Sequence, residues 1–124
     1  MKIKTFLDKS QVHGIGLFCS EDVKKGNIIY KPNENLDLKL QKKEFDALEK
    51  EEQDYILHYG YRNKEEYHLS FDNIRFCNHS RNCNNISKKV TGNSFTLYAI
   101  CNIKKGEELL QNYSEFEELR QILS

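Results

Sequence analysis

Three short stretches of this 124-residue chain carry groups suited to chemistry. His13-Gly14-Ile15-Gly16-Leu17-Phe18 sets two glycines two residues apart, which lets backbone approach a ligand closely and equally suits a turn that bounds a strand. The run from Asp72 to Asn85 gathers amide, imidazole and hydroxyl groups, which satisfy the polar atoms of a ligand or of a buried turn. Cys77, His79 and Cys83 are metal ligands by type, but no second paired ligand set accompanies them, so zinc is not expected. A cysteine–histidine nucleophile pair is not expected either, because adjacent positions on one turn rarely aim at each other. Gly106 to Tyr113 reads by composition as a turn and a strand that ends in one of seven tyrosines.

Short strands and turns must position these groups. Runs at Ile3 to Leu7, Ile15 to Cys19 and Ile28 to Tyr30 are rich in β-formers, with Gly14, Gly16 and Gly26 between or beside them. From Lys42 to Tyr59, Phe45, Leu48, Tyr55, Ile56 and Tyr59 recur near helical spacing, opposite Lys43, Glu44, Lys50, Glu51 and Asp54. The pattern predicts one long helix, with Gly60 as the glycine just past its end. Tyr67 to Phe71 follows, and then Ile86 to Val90 and Ser94 to Cys101 read as a hairpin across Thr91, Gly92 and Asn93. Val23-Lys24-Lys25-Gly26 and Ile103-Lys104-Lys105-Gly106 resemble each other, but their flanks differ, which points to recurring turn chemistry rather than a duplicated domain. Ser114-Glu115-Phe116-Glu117 is a capping-box pattern ahead of Leu119, Ile122 and Leu123, so a short helix is expected over 114–124.

Composition narrows the class. Hydrophobic residues make up 38%, charged ones 31%, and there is one proline, as in a globular protein and unlike collagen-like or proline-rich disordered chains. The length allows one domain. Nineteen Lys plus Arg balance nineteen Asp plus Glu, which argues against direct binding of nucleic acid. No apolar run approaches the roughly twenty residues of a membrane span. Polar residues interrupt any secretory leader near the start, and the four cysteines are scattered, so an intracellular protein with free thiols, cytoplasmic or nuclear, is expected.

Taken together and in order, the three stretches resemble the SET domain of protein-lysine methyltransferases. Gly14-Ile15-Gly16 is similar to the family's G-x-G, Arg75-Phe76-Cys77-Asn78-His79-Ser80 to its R-F-x-N-H-S, and Asn84 to the asparagine that closes N-H-S-C-x-P-N. Ile103-Lys104-Lys105-Gly106-Glu107-Glu108-Leu109 followed by Tyr113 is similar to I-x-x-G-E-E-L-x-x-x-Y. The resemblance runs from about Lys2 to Tyr113 and implies a mostly β, β-clip-type fold of small curved sheets with short helices and a knot-like threading of the carboxy-terminal motif. It implies a single domain over 1–124 with a variable insert near 36–70, comparable to small viral and bacterial members.

It further implies S-adenosylmethionine as cofactor, no metal, and a protein or peptide lysine as substrate. Gly14, Ile15, Gly16, Arg75, Asn78 and His79 would hold the cofactor, Arg75 alternatively bracing the fold, and Phe116 would stack on the adenine or wall the lysine channel. Tyr113 would be the catalytic tyrosine. A histone tail is the family's default substrate and would meet Glu49, Glu51, Glu52, Glu65 and Glu66; another protein lysine is equally compatible, and a homodimer is among the assemblies allowed. Arg81 and Cys83 replace the motif's cysteine and proline, and no cysteine-rich tail follows Tyr113. Gln111 stands where many members carry an aromatic residue that limits the number of methyl groups added. A catalytically silent SET module that binds a peptide or partner is the alternative.

Overall fold

The computed structural model describes residues 1–92 and 94–112. Asn93, Tyr113, Phe116 and the helix expected over 114–124 lie outside the described residues. In chain order the strands are β1 (Thr5–Lys9), β2 (Ile15–Cys19), β3 (Ile28–Tyr30) and β4 (Leu38–Gln41), followed by helices α1 (Lys42–Asp46) and α2 (Lys50–Tyr59). Then come β5 (Tyr61–Asn63), β6 (Glu66–Leu69), a 3-10 turn (Asn73–Phe76), β7 (Asn78–His79), β8 (Ile86–Thr91), β9 (Ser94–Ala99) and β10 (Leu110–Gln111).

Four small sheets result, as the mostly β expectation required. β1 and β2 form an antiparallel hairpin, β3-β9-β8 and β4-β6-β5 are three-stranded antiparallel sheets, and β10 pairs with β7 in parallel. β1 begins two residues later than the run at Ile3 suggests. The Ser10 N–H donates to the Gly14 carbonyl (2.8 Å) and fixes the register Thr5↔Cys19 to Lys9↔Ile15, while Ile3 packs against the core ahead of the strand. The β8–β9 ladder includes Thr91, paired with Ser94.

The single helix expected over Lys42 to Tyr59 is two helices, and the difference has a local cause. Glu49 is extended (φ −70°, ψ 159°), and its N–H donates to the Glu52 carboxylate (2.9 Å), which starts a new helix there. The Gln53 side-chain amide then donates to the carbonyls of Phe45 (3.0 Å), which also accepts the Leu48 N–H, and of Leu48 (3.3 Å), tying α2 back to the end of α1. Gly60 does follow the second helix, but at φ −102° it is not a left-handed cap. A Cβ there would collide with the backbone carbonyls of His68 and Ile56, so the glycine serves close packing of α2 on β6.

The main core joins Leu17, Val23, Ile29, Tyr30, Ile74, Ile86, Leu97, Ile103 and Leu109, drawn from both ends of the chain. Each of these side chains contributes roughly 1.5–3 kcal/mol by leaving water. A second, smaller cluster of Phe45, Ile56 and Tyr67 sits within the β4–β6 segment, where the Phe45 and Tyr67 rings stack at 3.9 Å. The two similar turns meet: Val23 and Ile103 exchange backbone hydrogen bonds of 2.7 and 2.8 Å. The exchange repeats around them. Gly26 N–H reaches the Ala99 carbonyl and Gly106 N–H the Cys19 carbonyl, while Asp22 receives the Lys105 N–H and Asn102 the Lys25 N–H. Gly26 and Gly106 share φ 92°, the left-handed conformation this turn needs. A local two-fold relation therefore joins stretches 80 positions apart (Lys24 to Lys104).

Candidate functional site

A cavity of about 260 Å³ opens where three elements converge. The β1–β2 loop supplies Val12, His13, Gly14 and Ile15; the end of α2 supplies His58 and Tyr59; the stretch from Arg75 through His79 closes the remaining side. Of the residues the resemblance assigns to the cofactor, Gly14, Ile15, Arg75, Asn78 and His79 lie on this wall. Gly16 lies behind it, where a Cβ would run into the Glu108 carboxylate and sit 2.9 Å from the Ser10 Cβ. Phe116 and Tyr113 are outside the described residues; β10 ends two positions before Tyr113.

The loop is held from below by a side-chain network. Ser10 Oγ donates to Glu108 (2.8–2.9 Å) and accepts the N–H groups of Val12 (2.9 Å) and His13 (3.2 Å). Asn78 Nδ2 donates to the carbonyls of His13 (2.8 Å) and Ile15 (3.2 Å) and to Glu108 Oε2 (3.1 Å). Its amide hydrogens thus shape the loop from within the protein. Ser10 and Glu108 escape a reading by motif, although Glu108 stands inside the G-E-E-L stretch.

The helix wall is fixed by aromatic packing. Arg75 Nη1 donates to the Tyr55 hydroxyl (2.9 Å), and Tyr59 packs between Tyr55 (4.6 Å) and Phe76 (5.4 Å). Tyr55 itself remains 41% exposed rather than joining a core. His13 and His58 meet edge to face across the mouth at 6.2 Å. The described wall carries Arg75 and three histidines and no carboxylate, so it favours an anionic or polar ligand group.

The stretch from Glu107 to Gln111 runs between β2 and β7. It bonds to Cys19 and Leu17 on one side, through Glu107 O (3.0 Å) and Leu109 N (2.7 Å), and pairs Leu110↔Asn78 and Gln111↔His79 on the other. This parallel pair puts the two segments that the resemblance threads past each other in direct contact. Asn85, rather than Asn84, grips the stretch: its amide donates to Glu108 O (2.8 Å) and accepts the Leu110 N–H (2.9 Å), with the residue 9% exposed. Among the described residues the Asn84 amide bonds locally, to Ile86 O.

Cys77 is buried, its thiol directed at Leu109 O (3.3 Å), and burial pushes that thiol far above the ordinary range. That environment suits neither a nucleophile nor a metal ligand. Among the described residues no three metal-ligating side chains converge, and no helix is long and apolar enough to cross a membrane. Among the described residues no disulfide forms; Cys19, Cys77, Cys83 and Cys101 are all thiols.

The family model described as the SET domain matches residues 14–114. No curated protein sequence matches significantly. Among solved structures, a Plasmodium falciparum protein assigned as a histone methyltransferase is similar at 23% identity and TM-score 0.66, over 91% of this chain and 95% of that one. Two structures of the Polycomb Repressive Complex 2 of Chaetomium thermophilum are similar over 99% of this chain. One, bound to S-adenosylmethionine, has 24% identity and TM-score 0.70; the other, an apo form with two substitutions, has 25% and 0.71. This chain spans only 17% and 16% of their lengths. Similarity at this level is one of fold, and with two motif-bearing segments lining one cavity, the third paired to one of them, and a family model covering most of the sequence, the chain belongs to the SET domain family.

Proposed function

We propose that the chain is an S-adenosylmethionine-dependent protein-lysine N-methyltransferase acting on a histone tail or another protein. The observation that carries this reading is that the glycine loop and the Arg75-to-His79 stretch line one cavity, while the strand that leads to Tyr113 pairs with Asn78 and His79 of that stretch. S-adenosylmethionine, when bound, supplies a methyl group activated on its sulfonium. The donor set fits it. Arg75 offers a guanidinium to the ligand's carboxylate, and the rings of His58 and Tyr59 suit a purine face. Gly14, Ile15 and His79 present wall to the ligand, Gly16 and Asn78 keep the loop in shape, and Phe116 is assigned to the adenine side.

A substrate lysine, ordinarily with a pKa of about 10.4, must lose its proton before it can attack. A narrow dry channel lowers that value by disfavouring the charged form. Tyr113 is assigned the task of orienting the amine toward the methyl group, so the protein's contribution is alignment. Glu51 and Glu65 are exposed and available to a basic peptide, whereas Glu49 and Glu52 form the capping box of α2 and Glu66 is already engaged by Lys39 (3.2 Å) and Gln41 (2.8 Å).

Thermal stabilisation by S-adenosylhomocysteine and transfer of labelled methyl to histones or lysate proteins test the reading. Tyr113→Phe should keep the thermal shift and lower kcat on the order of a hundredfold. Ligand binding with no transfer to any protein would favour the silent module, and absence of stabilisation would overturn the assignment of the cavity.

A further inference from the structure

The β1–β2 hairpin leaves one backbone edge open. The Ser10 N–H donates to the Gly14 carbonyl and the Ser20 N–H to the Lys4 carbonyl, so the even-numbered residues of β1 turn their backbone groups toward β2. Thr5, Leu7 and Lys9 therefore turn theirs outward, and among the described residues β1 pairs with no strand but β2. An open edge of this kind is a template for another strand. The side chains sort by face in the same way. Thr5 and Leu7 stand beside Cys19 and Leu17, both 0% exposed, on the core side. Lys4, Phe6 and Asp8 lie on the solvent side, where the Phe6 ring stacks on Phe18 at 5.3 Å and Phe6 is still 38% exposed. Among the described residues neither Lys4 nor Asp8 is in an ion pair.

We propose that β1 pairs antiparallel with β1 of a second copy of the chain, about a two-fold axis at Phe6, joining two hairpins into one sheet. An outward residue must face an outward residue, so the axis passes through a residue position. At Leu7, Asp8 or Lys9 the ladder would need the Lys9 N–H, which already donates to Asp8 Oδ1 (2.7 Å). At Thr5 it would set Leu7 against Ile3, which precedes the strand and packs on the core. At Phe6 nothing already engaged is needed. Thr5 and Leu7 exchange backbone hydrogen bonds with Leu7 and Thr5 of the second copy, Phe6 faces Phe6, and Lys4 faces Asp8 at both ends of the ladder. The edge thus carries its own complement in charge and in apolar surface, which an unrelated strand would have to bring with it. This contact does not depend on the reaction proposed for the cavity.

Sedimentation equilibrium of the full chain tests the proposal. One short strand per copy makes a small and therefore weak contact, so dimer should appear between about 1 μM and about 1 mM chain. Lys4→Glu and Asp8→Lys each set like charges opposite one another and should weaken the dimer about tenfold or more. In an equimolar mixture of the two variants every facing pair is opposite in charge, so the mixture should associate about as tightly as the parent. Thermal melting checks that the fold is kept. Hydrogen exchange of the parent decides the matter should a variant fail to fold: the outward Thr5 and Leu7 amides should exchange at least about threefold more slowly at about 1 mM than at about 10 μM. A chain still monomeric at about 1 mM, or a dimer that neither substitution weakens, overturns the proposal. So does a mixture no tighter than its components, or exchange at Thr5 and Leu7 that is independent of concentration.

Discussion

Glu108 gives the cavity its floor without standing on its wall. Ser10 and Asn78 both donate to its carboxylate, and through them the loop from Val12 to Ile15 is held in place. Glu108→Ala leaves the Ser10 hydroxyl without its acceptor and takes one of three acceptors from the Asn78 amide. Denaturant unfolding should show a loss of about 1–3 kcal/mol, accompanied by weaker S-adenosylhomocysteine binding, with Glu108→Gln intermediate because it keeps a carbonyl. Equal stability and affinity in all three proteins would remove Glu108 from this role. The cysteines divide just as clearly. Cys83 and Cys101 are exposed, while Cys19 and Cys77 are buried with thiols raised chiefly by desolvation. A maleimide should therefore label two cysteines per native chain and four after denaturation, read by mass spectrometry. Gly14, Arg75, Asn78 and His79 were legible because they sit in contiguous motifs. Ser10 was not, since its partner lies 98 positions away and a side-chain hydrogen bond leaves no periodic trace.

Periodicity located the helical segment but concealed its break. Phe45, Leu48, Tyr55, Ile56 and Tyr59 keep a spacing that a single helix would also produce, and Glu49 is a poor stop-and-start signal beside the Ser, Thr, Asp or Asn usually found at a helix start. Only the Gln53 amide, reaching back to α1, shows why two helices are stable there. The same insert carries a pH-sensitive element. His68 stacks on Tyr61 at 5.0 Å, and burial pulls its pKa below the ordinary 6.5, against the opposing pull of Glu66. With the folded pKa depressed, the unfolded chain takes the proton first. His68 therefore supports the fold fully above about pH 6.5, and that support is lost as pH falls through the folded value. Melting temperatures measured from about pH 8 to 5 should fall below neutrality, and His68→Phe, which keeps the stacked ring, should flatten the fall relative to the parent. An identical pH dependence in the variant would assign the effect to other groups.

Across the whole molecule, the last described segment completes structures begun near the first residues. Ile103 pairs with Val23, Glu107 and Leu109 bond to β2, and Leu110 and Gln111 pair with β7, so neither the main core nor the cavity floor exists before this stretch is in place. The two similar turns could be seen in the sequence, but one backbone bridge joins them, and no local pattern announces a bridge between such distant positions. Pairings this remote carry a large loop-closure cost before any contact repays it, which places folding in the millisecond-to-second range. Leu109 is 0% exposed, and Leu109→Ala should cost about 2–5 kcal/mol. Removing the whole stretch is more severe, because Leu17, Cys19 and Asn85 then lose their partners together. A chain ending at Asn102 should show no cooperative unfolding transition and collapsed amide dispersion in its NMR spectrum, and a separate peptide of residues 103–124 should restore both. A cooperative transition near the parent's midpoint in the shortened chain would mean that the first 102 residues hold the fold unaided.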